Sequence, residues 1–230
     1  MNPSKWVFKN LGYDFKSLEL LMQALTHRSY SNNINNERLE FLGDAVLDLI
    51  ISEVLYKQYA DIDEGGLSRL RAFLVRGESL AEVARQISLG DVVRLGSGEA
   101  SSGGHQRASI QADAFEALIG AIYLDSSYAI TEKIILKLFD RKLNSLPDIN
   151  DLKDSKTALQ ELLQSRSIDI PTYRVISEYG PPHNRKFSVK CTILQLDIDT
   201  NAVGTSRQRA EQSAAEAALI KIRDLDDASP

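Results

Sequence analysis

Between Asn36 and Ile50 the chain reads NERLEFLGDAVLDLI, a helix too apolar to stand alone in water yet crossed by acids at a regular spacing. A helix turns about 100° per residue, which gathers Glu37, Glu40, Asp44 and Asp48 on one narrow arc. Leu39, Phe41, Leu42, Val46, Leu47, Leu49 and Ile50 fill most of the remaining circumference, the pattern of a helix buried in a core or against a partner. Any fold of this chain must wrap the segment on most sides and leave its acidic edge open. Taken alone, an acidic i, i+3, i+7 set is the ordinary solvated face of a helix. Here the apolar surround argues otherwise, because crowded carboxylates raise one another's pKa unless a positive charge stands between them. A divalent cation would supply it.

A second acidic pair strengthens that reading. Asp113 and Glu116 in SIQADAFEALIGAIYLD are three apart and share one helix face, while Phe115, Leu118, Ile119 and Ile122 line the other. In isolation this is a surface pair; beside the first stripe it is the other half of a carboxylate cage. One cysteine, Cys191, and three histidines cannot build a zinc site of the usual Cys/His spacing. A metal here would have oxygen ligands, which favours magnesium or manganese. A ferritin-like di-iron site needs Glu-x-x-His pairs, but Ala24 and Ser102 stand three residues before His27 and His105. His27 reads as a buried, hydrogen-bonded histidine closing a helix end. Asp48 reads as a polar contact at the far end of its helix.

The hydrophobic period divides the chain. Helical patterns cover Ser17 to Thr26, Asn36 to Tyr59, Leu67 to Val75, Glu78 to Ile87, Ile110 to Tyr123 and Ala129 to Leu143, with a glycine- and serine-rich loop from Gly96 to Gly104. The polar stretch NSLPDINDLK, Asn144 to Lys153, reads as a linker. Beyond it Ser155 to Ser165 is helical, Thr172 to Ser177 and Lys186 to Leu196 read as strands, and Arg207 to Ile222 is an alanine-rich helix. That is an α+β unit. The overall net charge is -5, which argues weakly against nucleic acid, and neither half is basic. Residues 1–150 carry 16 Lys+Arg against 20 Asp+Glu, and residues 151–230 carry 11 against 12. In the second half, however, Arg185, Lys186, Lys190, Arg207 and Arg209 gather near the strands and one helix start. No apolar run is long enough for a membrane span, and the first residues lack the pattern of a secretory signal. A cytoplasmic protein without membrane contact is expected.

Taken together, NERLEFLGDAVLDLI, DEGGLSRLRAFLVRGESLAEVAR and ASIQADAFEALIGAIYLD resemble the bacterial ribonuclease III family, and TALQELLQ, GPPHNRKF and TSRQRAEQSAAEAAL resemble its double-stranded RNA-binding domain. The resemblance implies an all-α endonuclease domain over residues 1–146, a linker over 147–153 and an α-β-β-β-α RNA-binding domain over 154–225. It implies that Glu40, Asp44, Asp113 and Glu116 hold catalytic Mg2+, for which Mn2+ substitutes, with Glu37 and Glu64 as supporting acids. No small-molecule cofactor is implied. The reaction implied is two-metal hydrolysis of duplex RNA that leaves 5′-phosphate and 3′-hydroxyl ends with short 3′ overhangs, in the processing of ribosomal and other structured transcripts.

Duplex RNA is read across its shallow minor groove and the intervening phosphates. The family pattern assigns Gln160 and Glu161 to one minor groove, Pro182 and His183 to the next, and Arg207 and Arg209 to the phosphates, with Ser206 as the N-cap of their helix. It also implies a homodimer in which Phe41 enters a pocket of the second subunit. Gln111 and Gln208 depart from the family's usual aliphatic and basic residues. A relative that binds RNA without cutting it is the main alternative, but it should have lost one of the four carboxylates. A carboxylate-bridged metal oxidase is disfavoured by the missing Glu-x-x-His pairs.

Overall fold

The protein is described here from a computed structural model covering residues 2–181 and 184–227. The chain divides between Leu152 and Lys153 into two compact units. In the first, α1 (Pro3–Leu11), α2 (Leu18–Ala24), α4 (Glu64–Val75), α5 (Gly77–Gln86), the short α6 (Ser97–Ser101) and α8 (Tyr128–Leu143) surround a central pair, α3 (Glu37–Gln58) and α7 (Ala108–Asp125). Capping sets several of the boundaries. Asn2, Ser17 and Asp63 accept backbone N–H groups of Lys5, Leu20 and Gly66, satisfying donors that a helix start leaves free.

The sequence patterns did not reveal α1. Its start is an Asn cap followed by Pro at the first turn, and it anchors through Trp6, whose indole N–H donates to Ile87 O at 2.8 Å. The expected glycine-rich loop carries the short α6. The expected linker is partly folded as well: Ile149–Leu152 forms a 3-10 turn, and Ile149 and Leu152 pack on the first core.

The α7 helix is apolar on nearly every side, with Phe115, Leu118, Ile119 and Ile122 fully buried. It crosses α3 at near contact of the two backbones. A Cβ placed on Gly43 would lie 1.8 Å from the carbonyl oxygen of Glu116. Asp125 closes the far end of α7, its carboxylate accepting from the Tyr13 hydroxyl at 2.5 Å and from the N–H groups of Lys16 and Ser17 at 2.8 Å. This ties the segment entering α2 to the central helix.

In the second unit α9 (Ser155–Ser165) and α10 (Arg207–Asp227) cover one face of an antiparallel sheet in the order β1 (Thr172–Tyr179), β2 (Lys186–Ile193), β3 (Ile198–Gly204). The observed order is α-β-β-β-α. The strand read as running to Leu196 stops at Ile193, where a 3-10 turn over Leu194–Leu196 leads into β3. Val189, Cys191 and Ile193 alternate inward, and Cys191 and Ile193 meet Leu159 and Leu163 of α9 and Ala214, Ala215 and Ala218 of α10. Of the alanines on α10, Ala210, Ala214, Ala215 and Ala218 are buried, while Ala217 is only partly so. Cys191 is a buried free thiol in this core.

Candidate metal centre and nucleic-acid interface

Glu40 comes from the first turn of α3, and Asp113 and Glu116 from successive turns of α7. One carboxylate oxygen of each lies within 4.8 Å of the others. The close crossing at Gly43 makes this possible, because a larger residue would push the acids apart. Asp44 follows Glu40 by one turn. It stays outside the 4.8 Å set and is exposed, yet its charge is the strongest single electrostatic influence on Glu116.

Burial, and then the neighbouring charges of Asp44, Glu40 and Asp113, push the Glu116 carboxyl up to about 8. Burial followed by Asp113 and Glu37 raises Glu40. Burial also raises Asp113, with His27 and Arg28 pulling the other way. Among the described residues none of these three acids takes part in an ion pair. An oxygen-only donor set whose carboxyls are raised by burial and, for Glu40 and Glu116, by neighbouring acids fits a divalent hard cation.

The remaining acids are more dispersed. Glu37 is exposed and pairs with Arg28 at 3.4 Å. Glu64 is not brought to the cluster within one chain: its carboxylate accepts from Ser68 at 2.8 Å, in a groove shared with Leu49, Tyr56 and Arg71. Asp48 has one buried carboxylate oxygen without a hydrogen-bond partner, and burial raises its pKa against the pull of Arg71. The polar contact expected for it is therefore electrostatic only.

His27 is not buried. It is partly exposed and lines a pocket with Glu40 and Asp113, its Nδ1 accepting from the Ser29 N–H at 3.1 Å. Backbone hydrogen bonds Arg94 N–H to Leu25 O and His27 N–H to Arg94 O, at 2.7 and 3.1 Å, hold the segment there. Gln111 plays no part in the cluster. Its buried amide donates to His105 O at 2.7 Å, a structural tie between α7 and the preceding loop. Phe41 is 80% exposed, with Leu49 and Tyr56 exposed farther along the same helix.

On the second unit Gln160 and Glu161 are exposed on α9, Glu161 pairing with Lys153 at 2.6 Å. Pro182 and His183 lie outside the described residues. Ser206 caps α10 through its hydroxyl, which accepts the Arg209 N–H at 3.2 Å. Arg207 is joined to Glu211 at 2.8 Å, and the other oxygen of Glu211 holds Lys156 of α9 at 2.7 Å. Glu211 and Lys156 were not singled out from the sequence. The i, i+4 spacing of Arg207 and Glu211 was the only available signal.

The description Ribonuclease-III-like matches residues 17–143, and Double-stranded RNA binding motif matches 155–222. Ribonuclease 3 of Proteus mirabilis is 51% identical over 214 residues, 93% of this chain and 94% of that protein. Ribonuclease 3 of Pseudomonas paraeruginosa is 50% identical over 221 residues, 96% of each. Among solved structures, the nuclease domain of ribonuclease III from Campylobacter jejuni superposes with a TM-score of 0.60 at 42% identity, covering 64% of this chain and all of that one. A second structure of that domain, at 43% identity, covers 61% of this chain and 99% of that one with the same TM-score, and is described by flexibility in a region involved in its dimer formation. No helix among the described residues is long and apolar enough to cross a membrane. With its nuclease-type helical domain, its converging carboxylates and the RNA-binding motif behind them, the chain belongs to the ribonuclease III family of endoribonucleases.

Proposed function

We propose that the protein cuts double-stranded RNA with Mg2+ held by Glu40, Asp44, Asp113 and Glu116, Mn2+ serving in its place. The observation that carries this reading is the convergence of Glu40, Asp113 and Glu116 within 4.8 Å in a member of this family. Bound there, divalent cations would lower the pKa of water and take up charge on the departing 3′ oxygen, the two-metal route to 5′-phosphate and 3′-hydroxyl ends. The protein's own part is positional. Burial and like charges push the Glu116 carboxyl up to about 8 and raise that of Glu40, so a cation arriving there would compete with protons for these oxygens.

The RNA-binding domain holds the duplex through Gln160, Glu161, Arg207 and Arg209, with Pro182 and His183 as further groove contacts. The exposed stripe of Phe41, Leu49 and Tyr56 supports a two-fold homodimer, with Phe41 of one copy in the apolar groove beside Leu49 and Tyr56 of the other. That groove also contains Glu64, so facing copies would bring Glu64 toward the acidic valley as a supporting acid. Two sites on opposite strands of one duplex yield short 3′ overhangs. Ribosomal and other structured precursors in the cytoplasm are the substrates of this reading.

A duplex RNA incubated with protein in magnesium and separately in calcium tests the proposal. Cleavage is expected in magnesium, and Glu116→Gln should abolish it while duplex binding persists. Binding without cleavage by the unaltered protein would favour the RNA-binding alternative instead.

A further inference from the structure

A pocket of about 550 Å3 opens beside the carboxylates, sharing Glu40 and Asp113 with them, and His27, Arg28, Arg107 and Asn36 contribute to its walls. Its two arginines are held by acids on the rim. Arg28 reaches Glu37 at 3.4 Å and Arg107 reaches Glu99 at 2.6 Å, both guanidinium groups remaining at least half exposed. The Arg28–Glu37 pair, exposed on both sides, is of the weak kind that exchanges readily for a better anion, whereas Glu99 is the more buried partner of Arg107, whose half-exposed guanidinium has further N–H groups to offer.

Asn36 supplies an independent observation. It occupies the N-cap position of α3 but makes no side-chain capping bond, while the Glu37 N–H beside it donates to the side-chain Oδ1 of Asn35 at 3.2 Å. Asn36 is 2% exposed, and its Nδ2 has no hydrogen-bond partner among the described residues. Buried amide donors are rarely left without an acceptor, so the orphan calls for a partner that a ligand would bring. Guanidinium and amide donors together match an anion with several acceptor oxygens. A phosphodiester has that form.

We infer that this pocket receives a backbone phosphate of the cut strand adjacent to the scissile one, with Arg28 turning from Glu37 to its oxygens, Arg107 meeting them with the N–H groups that Glu99 does not face, and Asn36 adding a donor. The inference rests on the nuclease reading above. It answers a physical difficulty of that reading, since an acidic cleft repels the RNA it must cut. Cations on the rim would hold the neighbouring phosphate while the carboxylates remain free for metal.

The test uses the full-length protein and a duplex with one cleavage site, in which phosphates flanking the cut are replaced singly by uncharged methylphosphonates. The readout is single-turnover kcat/KM in magnesium. At one flanking position the replacement should lower kcat/KM about tenfold for the unaltered protein and less than about twofold for Arg107→Gln and Arg28→Gln, because the lost charge has no partner left to lose. Equal losses at every position in all three proteins, or no loss in the unaltered protein, overturn the inference. If Arg107→Gln fails to fold, the exposed Arg28→Gln decides alone. An unmodified duplex that is never cut overturns the nuclease reading and this inference together, whereas cutting with uniform losses overturns only the latter.

Discussion

Gly43 and Gly120 stand face to face where α3 crosses α7: a Cβ on Gly120 would fall 3.1 Å from the Gly43 nitrogen and 2.3 Å from the Leu39 carbonyl oxygen. Both obstacles are backbone, so no side-chain rotation can relieve the clash. The crossing fixes the distance between the two acid-bearing helices as well as the packing of the core.

Gly43→Ala should therefore damage stability and site together. Forced overpacking against backbone is expected to cost about 3 kcal/mol, measurable by urea unfolding, and residual folded protein should show weakened magnesium binding. Gly77→Ala is the control. It also lies in a helix, but its Cβ would meet nothing within 4 Å, so it should leave both quantities nearly unchanged.

Glu116 gives the metal-free protein a pH-dependent weakness whose sign is fixed. Its carboxyl titrates near 8 in the folded chain against an ordinary 4.5, so the folded state binds this proton more tightly than the unfolded one. The stabilisation is complete below about pH 4.5 and is lost as pH rises through 8. Thermal unfolding in a chelator should thus show a falling midpoint from pH 5 to 9, less steep in Glu116→Gln. Added magnesium should raise the midpoint of the unaltered protein more at pH 8.5 than at pH 6, since below 8 the cation must displace a proton. A midpoint independent of both pH and magnesium would remove the carboxylate cluster as a cation site.

The stripe on α3 and the Asp113–Glu116 pair were legible because a helix converts sequence spacing directly into a shared face. Their convergence was not. It depends on two helix-interior glycines, Gly43 and Gly120, which single-sequence reasoning treats as a propensity cost and not as a crossing point. His27 was misread for a related reason: a histidine after an apolar helix usually turns inward, and the bridge to Arg94 that holds this one at the pocket joins segments far apart in sequence. Glu64 begins α4, ahead of the start expected at Leu67. It lies on another part of the surface, and a monomeric pattern carries no information about what a second copy would bring near it. In the second unit, inward alternation along β2 was readable, whereas β3 emerged only from the family pattern because IDTNAVG carries little apolar alternation.

Phe41 offers a clean separation of assembly from folding. Because 80% of its surface is open in the single chain, Phe41→Asp should leave the unfolding free energy of the protomer within about 0.5 kcal/mol. If the stripe is the dimer seam, losing an anchor aromatic should weaken self-association by about a hundredfold or more, read by sedimentation velocity across a concentration series. An unchanged sedimentation profile would place the dimer contact elsewhere.

Arg207 and Lys156 share the two oxygens of Glu211, which is only 8% exposed. Burial alone would raise the Glu211 pKa, but the hydrogen bonds from Lys156 and Arg207 hold it below the ordinary carboxylate range. The carboxylate therefore stays charged near neutrality and links the starts of α9 and α10, the helices that carry Gln160 and Arg207. Gln212 reinforces the joint, donating to Asp154 at 2.8 Å and accepting the Lys156 N–H at 3.1 Å. Removing Arg207 should delete one phosphate contact while Lys156 keeps Glu211 partnered. Arg207→Ala is thus expected to bind duplex RNA several-fold more weakly with a salt slope shallower by about one, at little cost in stability. Glu211→Ala should do the reverse, removing the carboxylate that joins α9 to α10 and costing about 1 kcal/mol, since the two cations left behind are partly exposed. Binding isotherms at several salt concentrations, together with denaturation of each variant, separate the two effects, and an unchanged slope in Arg207→Ala would exclude that arginine from the phosphate contacts.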